Sequence, residues 1–106
     1  MSDDNQTVVP PSFVALFVPP GAVRPREPRA VIAERYELCE DMAQMLVEQA
    51  RALLFKLGIA EQDVLQRVHQ GLADEGSGLA VEEAGWVTCR LAELLDWPIP
   101  EQLLRP

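Results

Sequence analysis

One stretch of the chain repeats its apolar residues with the period of an α-helix. Between Arg29 and Leu57 they recur every three or four positions and therefore lie on one helical face. These residues are Ile32, Tyr36, Cys39, Ala43, Leu46, Ala50, Leu53, Leu54 and Leu57. Pro28 suits the first helical position, where its missing N–H would have no partner, and Gly58 suits the left-handed end of the last turn. The pattern predicts a long helix over about 29–57.

Two shorter helices are predicted after Gly58, over about 61–72 and 81–96. The connection that follows Gly58 is short, which favours a second helix antiparallel to the first. The apolar stripe of the second helix is Val64, Leu65, Val68 and Leu72, and that of the third is Val81, Ala84, Val87, Thr88, Leu91, Leu94 and Leu95. Pro98 ends the third helix. The pattern therefore indicates an all-α domain over residues 28–106.

Residues 1–27 form a predicted N-terminal arm, and its polar first nine residues are expected to be disordered. The apolar segment 12–18 lies between two proline pairs. Its length and its Val and Phe content favour an extended strand over a helix. We expect this segment to pack along the first half of the long helix. The alternative is a docking strand that contacts another chain through Phe13, Leu16 and Phe17.

A proline-rich linker with three arginines, Arg24, Arg26 and Arg29, joins the arm to the long helix. The residues before its prolines favour polyproline backbone, so the linker is expected to be stiff. The arginines suit either an anion or acidic side chains of the same molecule. The overall acidity of the chain favours the second interpretation.

A second set of apolar residues widens the apolar surface of the long helix on one flank. This set is Val31, Leu38, Met42 and Met45. The shorter helices cannot reach along the whole of a helix that is roughly 43 Å long at ~1.5 Å per residue. The pattern therefore predicts that something else covers this flank, and we expect a homodimer, with the N-terminal arm as the alternative cover.

Charge and cysteine content narrow the class of partner. The formal net charge of -8 argues against nucleic acid, which is bound by neutralising phosphates with Lys and Arg. Two cysteines on separate predicted helices do not form a disulfide framework, which favours a reducing compartment. The acidic N-terminus is unlike a signal peptide, and the apolar run Phe13 to Val18 is too short to span a membrane. We expect a cytoplasmic protein with neither a nucleic-acid nor a membrane partner.

The chemistry of catalysis and metal binding is sparse in this sequence. His69 is the only histidine, and the sequence contains no glycine-rich phosphate-binding loop. Cys39, His69 and Cys89 are the set from which a small enzyme or a metal- or ligand-binding bundle would be built. Their spacing lacks the close pairs that preorganise zinc sites. We expect no catalytic residue, no cofactor and no metal, and we keep a site near these three residues as the alternative.

Trp86 and Arg90 form the other candidate partner surface. On a helical wheel Trp86 lies nearly opposite the apolar stripe of the third helix, and Arg90 follows one turn later. Trp and Arg dominate the energetics of protein interfaces. Trp86 either meets the arm or the C-terminal tail, or anchors a partner, with Arg90 stacked on its ring.

Three runs of the sequence, SFVALFVPPG, ERYELCEDMAQML and WVTCRLAELLDWP, resemble a small bacterial family of uncharacterised proteins. Some members of that family are labelled as ATPases with chaperone activity. Because this chain has no nucleotide-binding motif, the resemblance implies chaperone-associated work at most and assigns no residues. The leading hypothesis is a non-catalytic cytosolic interaction module, namely an adaptor, an inhibitor or a small chaperone-like protein, that works as a homodimer.

Overall fold

The computed structural model describes residues 8–103, and within this range every regular element is helical. The α-helices are α1 (Pro11–Val14), α2 (Arg29–Leu57), α3 (Glu61–Ala73) and α4 (Val81–Leu95). Short 3-10 turns follow α1, α3 and α4, at Ala15–Phe17, Glu75–Ser77 and Glu101–Leu103. The all-α prediction is confirmed, and so is the long helix. The disorder predicted for the N-terminus concerns mainly residues 1–7, which lie outside the described residues.

The chain separates into two compact units, and the boundary falls between Leu38 and Cys39, inside α2. The predicted division ahead of residue 28 followed the proline-rich linker, where the composition changes. The compact units follow packing instead, because the arm contacts the first turns of α2 within the first unit: the rings of Phe13 and Tyr36 lie 5.6 Å apart.

The arm of the first unit is helical, so the extended segment predicted over 12–18 is wrong. Pro11 occupies the start of α1, where its ring presets the helical φ, and the Pro10 carbonyl accepts the N–H groups of Phe13 and Val14 at 3.0 and 3.2 Å. Helical spacing places Phe13 and Phe17 one turn apart on a common face. Both rings are buried, at 0% and 7% exposure. An extended segment would instead have shown apolar side chains on both of its faces.

Aromatic contacts hold the arm against the first half of α2. The Phe13 ring lies 5.5 Å from Phe17 and meets Tyr36 edge-on. Arg26 returns to the same segment, since its N–H donates to the Phe17 carbonyl at 2.8 Å and its guanidinium donates to the Leu16 carbonyl at 3.3 Å. The guanidinium also lies 5.2 Å over the Phe17 ring. Within the first unit the arm therefore packs on the long helix, as we expected. Contact with another chain through Phe13, Leu16 and Phe17 stays a prediction, and the rings of Phe13 and Phe17 are buried.

The core of the second unit lies where α3 and α4 pack with residues 39–57 of α2. Its fully or nearly fully buried members are Ala50, Val64, Leu65, Leu91, Ala92 and Leu95. Gly58 ends α2 with φ +64, and its N–H donates to the Leu54 carbonyl at 3.0 Å, which confirms the predicted left-handed cap. Leu57, predicted on the buried face, is 44% exposed because the helix ends there.

The ends of α4 have caps that its sequence pattern did not reveal. The Glu83 carboxylate accepts the N–H of Ala80 at 2.9 Å, which satisfies a backbone donor ahead of the first turn. Asp96 takes the left-handed conformation at φ 60 and donates its N–H to the Ala92 and Glu93 carbonyls. The helix therefore ends at Leu95, one residue before the predicted boundary.

Candidate interaction surface

The predicted apolar flank of α2 is exposed in both units. In the first unit Val31 is 37% and Leu38 is 41% exposed, and in the second unit Met45 is 65% exposed, while Met42 is half-buried. Val31 and Leu38 are seven residues apart, so helical geometry places them along the same side of α2 within the first unit. The expectation that the short helices leave this flank uncovered agrees with these exposures.

Phe55 extends the exposed apolar surface of the second unit, and sequence reasoning missed it. Its side chain is 92% exposed, and Ala52, three residues earlier, is exposed as well. The sequence does contain a sign of this exposure: Phe55 falls outside the regular apolar stripe of α2, although its neighbours Leu53, Leu54 and Leu57 belong to that stripe. A large aromatic residue outside the buried face of a helix is a candidate for contact with another molecule.

Charged residues accompany this surface within the second unit. Glu48 accepts a hydrogen bond from Arg51 one turn later, with 3.4 Å between Oε2 and Nη1. The two side chains are 86% and 55% exposed, so the pair contributes little to the stability of the isolated chain. It does place a negative and a positive group beside the apolar residues.

The structure gives Arg90 partners within its own unit. Its guanidinium donates to both carboxylate oxygens of Glu40, Nε to Oε1 at 2.9 Å and Nη2 to Oε2 at 3.1 Å, and Nη1 donates to Glu93 at 3.1 Å. Gln44 also donates to Glu40, at 2.8 Å. The hydrogen bonds from Arg90 hold the pKa of Glu40 below its usual value, and Glu40 in turn raises the pKa of Arg90. The group therefore ties α4 to α2.

Trp86 is half-buried on α4 and takes part in an interaction of its own. Its side chain is thus neither a fully covered core residue nor a fully exposed anchor. The predicted partner surface at Trp86 and Arg90 stays a prediction, but the donors of Arg90 that it requires are engaged by Glu40 and Glu93.

The residues of the alternative site do not form a metal-binding group. Among residues 8–103 no cluster of three or more His, Cys, Asp or Glu side chains is arranged to hold a metal ion. Cys39 is buried, His69 is half-buried, and the Cys89 thiol lies 3.9 Å from the Leu103 carbonyl. Burial raises the pKa of the Cys89 thiol, with a further contribution from Glu93, so this thiol is a weak nucleophile.

No family model, no curated protein and no solved structure matches the chain. The resemblance to the uncharacterised bacterial family stays a prediction. Within the described part of the chain, no helix is both long enough and apolar enough to cross a bilayer.

Proposed function

We propose that this protein is a non-catalytic protein–protein interaction module that associates with a second copy of itself through the exposed face of α2. The residues proposed for contact are Met42, Met45 and Phe55 of the second unit, while a contact by Leu38 of the first unit stays a separate prediction. An adaptor, an inhibitor or a small chaperone-like protein has this kind of activity. The proposal includes a cytoplasmic location, which the two free cysteines support.

The exposure of Met45 and Phe55 is the observation that carries the proposal. At 65% and 92% exposure, these two side chains leave most of their apolar surface in water, although both lie on the same well-formed helix. Burying a Met or Phe side chain contributes roughly 1.5–3 kcal/mol. Two such residues from each of two copies contribute about 6–12 kcal/mol, which is comparable with the ~4–15 kcal/mol cost of association. We therefore expect a weak, reversible dimer.

The described ionisable groups support a non-catalytic role. Glu40 and Arg90, two described groups of opposite charge with altered pKa values, are hydrogen-bonded to each other, as expected of a structural ion pair. The thiol of Cys89 has a raised pKa, whereas a nucleophilic cysteine needs a lowered one.

The first prediction is that Met45→Glu weakens self-association without unfolding the chain. The new carboxylate would have to be desolvated in the interface, whereas in the monomer it stays in water. We expect at least a thirtyfold weaker dimer by sedimentation equilibrium over about 5–500 µM, and an unchanged helical circular dichroism spectrum.

Gln66→Glu is the matched control, because it adds the same charge at an exposed position of α3. We expect this variant to associate like the natural chain. A natural chain that stays monomeric across the whole concentration range would overturn the proposed self-association, and equal behaviour of the two variants would move the interface away from α2.

A further inference from the structure

The exposed side of α2 in the second unit has a defined order of side chains. Met45, Glu48, Ala52 and Phe55 follow one another at steps of three, four and three residues, so they form a single row along the helix. All four are exposed, and Met45 and Phe55 stand at its two ends. We call these four residues the α2 row.

Resting on the proposed function, we propose that the second copy packs its α2 row against the first in the antiparallel direction, with the two-fold axis passing near position 50. In this alignment Met45 of each copy lies opposite Phe55 of the second copy, and Glu48 lies opposite Ala52. In this direction the unlike side chains of the two rows face each other, and the pairing has the two-fold symmetry of a homodimer.

The side chains of the α2 row distinguish the two directions. A parallel alignment in register places Glu48 on Glu48, where two carboxylates repel each other, and Phe55 on Phe55. The antiparallel alignment brings each methionine thioether to an aromatic ring, a favourable contact at about 5 Å. It also opposes a small residue, Ala52, to each Glu48, which leaves room for the carboxylate.

Charge complementarity supports the same direction. Arg51 lies one residue from Ala52, so the antiparallel alignment brings Arg51 of one copy beside Glu48 of the other. Within a single chain these two groups already meet, at 3.4 Å, and both are largely solvated. At the axis the two Glu48 and two Arg51 side chains form one neutral group. Exclusion of water from that group strengthens its hydrogen bonds.

The length of the α2 row indicates the strength of the pairing. From Met45 to Phe55 the helix rises about 15 Å at ~1.5 Å per residue. A contact of this length between two helices is smaller than a standard interface of about 1,200–2,000 Å², which corresponds to a weak or transient complex.

A mixing experiment tests the direction. Met45→Glu and Phe55→Lys should each dimerise at least about thirtyfold more weakly than the natural chain when alone, because each copy places a charge against an apolar side chain. In an antiparallel heterodimer of the two variants, the carboxylate introduced at position 45 meets the ammonium introduced at position 55 in one layer. In the other layer the natural Phe55 of the first variant meets the natural Met45 of the second. We therefore expect the equimolar mixture to recover dimerisation to within about tenfold of the natural chain.

The outcomes separate this inference from the proposed function. A parallel heterodimer would leave both layers mismatched, so a mixture that stays monomeric while the natural chain dimerises overturns the antiparallel arrangement alone. Undiminished dimerisation of either single variant overturns the α2 row as the contact. A natural chain that does not dimerise at all removes the proposed function as well. Circular dichroism of each variant verifies that it is folded.

Discussion

The guanidinium of Arg90 is hydrogen-bonded to acidic side chains of its own chain. It faces two acids, and its bidentate contact with Glu40 lies in a setting where the Arg90 and Glu40 side chains are only 33% and 18% exposed. Charge-assisted bonds in such a site are stronger than those of exposed pairs, because less water competes for them. Arg90 therefore contributes to the stability of the second unit more than the exposed pair formed by Arg51 and Glu48.

The pH dependence of stability tests this role. Because the pKa of Glu40 is lowered in the folded chain, its contribution is present above the unfolded value of about 4.3 and is lost as the pH falls through the lower folded value. We expect Arg90→Gln to lower the free energy of unfolding at pH 7 by about 1–3 kcal/mol and to reduce the further loss in acid. Urea denaturation from pH 7 downward measures both quantities.

Arg67→Gln is the control for that experiment, since Arg67 is exposed on α3 and its substitution should change the free energy of unfolding by less than about 0.5 kcal/mol. If Arg90→Gln lost as much stability between pH 7 and acid as the natural chain, Glu40 would not be the acid-sensitive group.

A substitution of Trp86 can distinguish a role in folding from a role in binding a partner. Because its ring is half-buried on α4, we expect Trp86→Ala to lower the free energy of unfolding by about 2–3 kcal/mol, less than the ~3–5 kcal/mol of aromatic residues truncated in cores. Chemical denaturation together with sedimentation of the same variant measures folding and association separately. A loss below about 1 kcal/mol combined with weaker association would instead place the ring on a partner surface.

Among the elements, the short helix α1 and its 3-10 turn pack against the first turns of α2 within the first unit. The features that form this segment lie close together in the sequence. They are a proline pair that starts the first turn, two phenylalanines one turn apart, and Arg26, which hydrogen-bonds back to the segment. Neither α1 nor its turn is long enough to be stable in isolation. The helical conformation therefore depends on burying the two rings.

Phe13→Ala tests that dependence. The Phe13 ring is fully buried, and its removal leaves a cavity beside Tyr36 and Phe17, so we expect the free energy of unfolding to fall by about 3–5 kcal/mol. Val8→Ala is the control at an 84% exposed position and should change it by less than about 0.5 kcal/mol. Thermal or urea denaturation of both variants gives the comparison. Equal stability of the two would show that the arm adds nothing to the fold.

At the scale of the whole molecule, the proposed activity depends on how much of α2 the other helices leave uncovered. In the second unit α3 and α4 bury one side of the helix, and the row from Met45 to Phe55 stays in water. The charge of -8 on each copy opposes association at long range, and salt screens that repulsion. A weak dimer with a short apolar contact is consistent with both features.

Part of this surface was accessible to sequence reasoning. Leu38 and Met45 were predicted to be uncovered because they lie beyond the buried stripe of α2, and both are exposed. Phe55 was missed because hydrophobicity by itself does not say which side of a helix a neighbour covers near its end. Arg90 was predicted to bind another protein, because Glu40, the acidic residue with which it pairs in the structure, is fifty residues away in the chain.

Local sequence patterns were sufficient to predict α2, α3 and α4, because the apolar period acts within a few residues, as do the proline at the start and the glycine at the end of α2. The conformation of the arm depends on tertiary packing, since a mostly apolar seven-residue segment between prolines suits either backbone until Phe13 packs against Tyr36. Tertiary packing also decided the partner of Arg90 and the exposure of Phe55. Those features depend on which distant surfaces meet, and no local pattern encodes that contact.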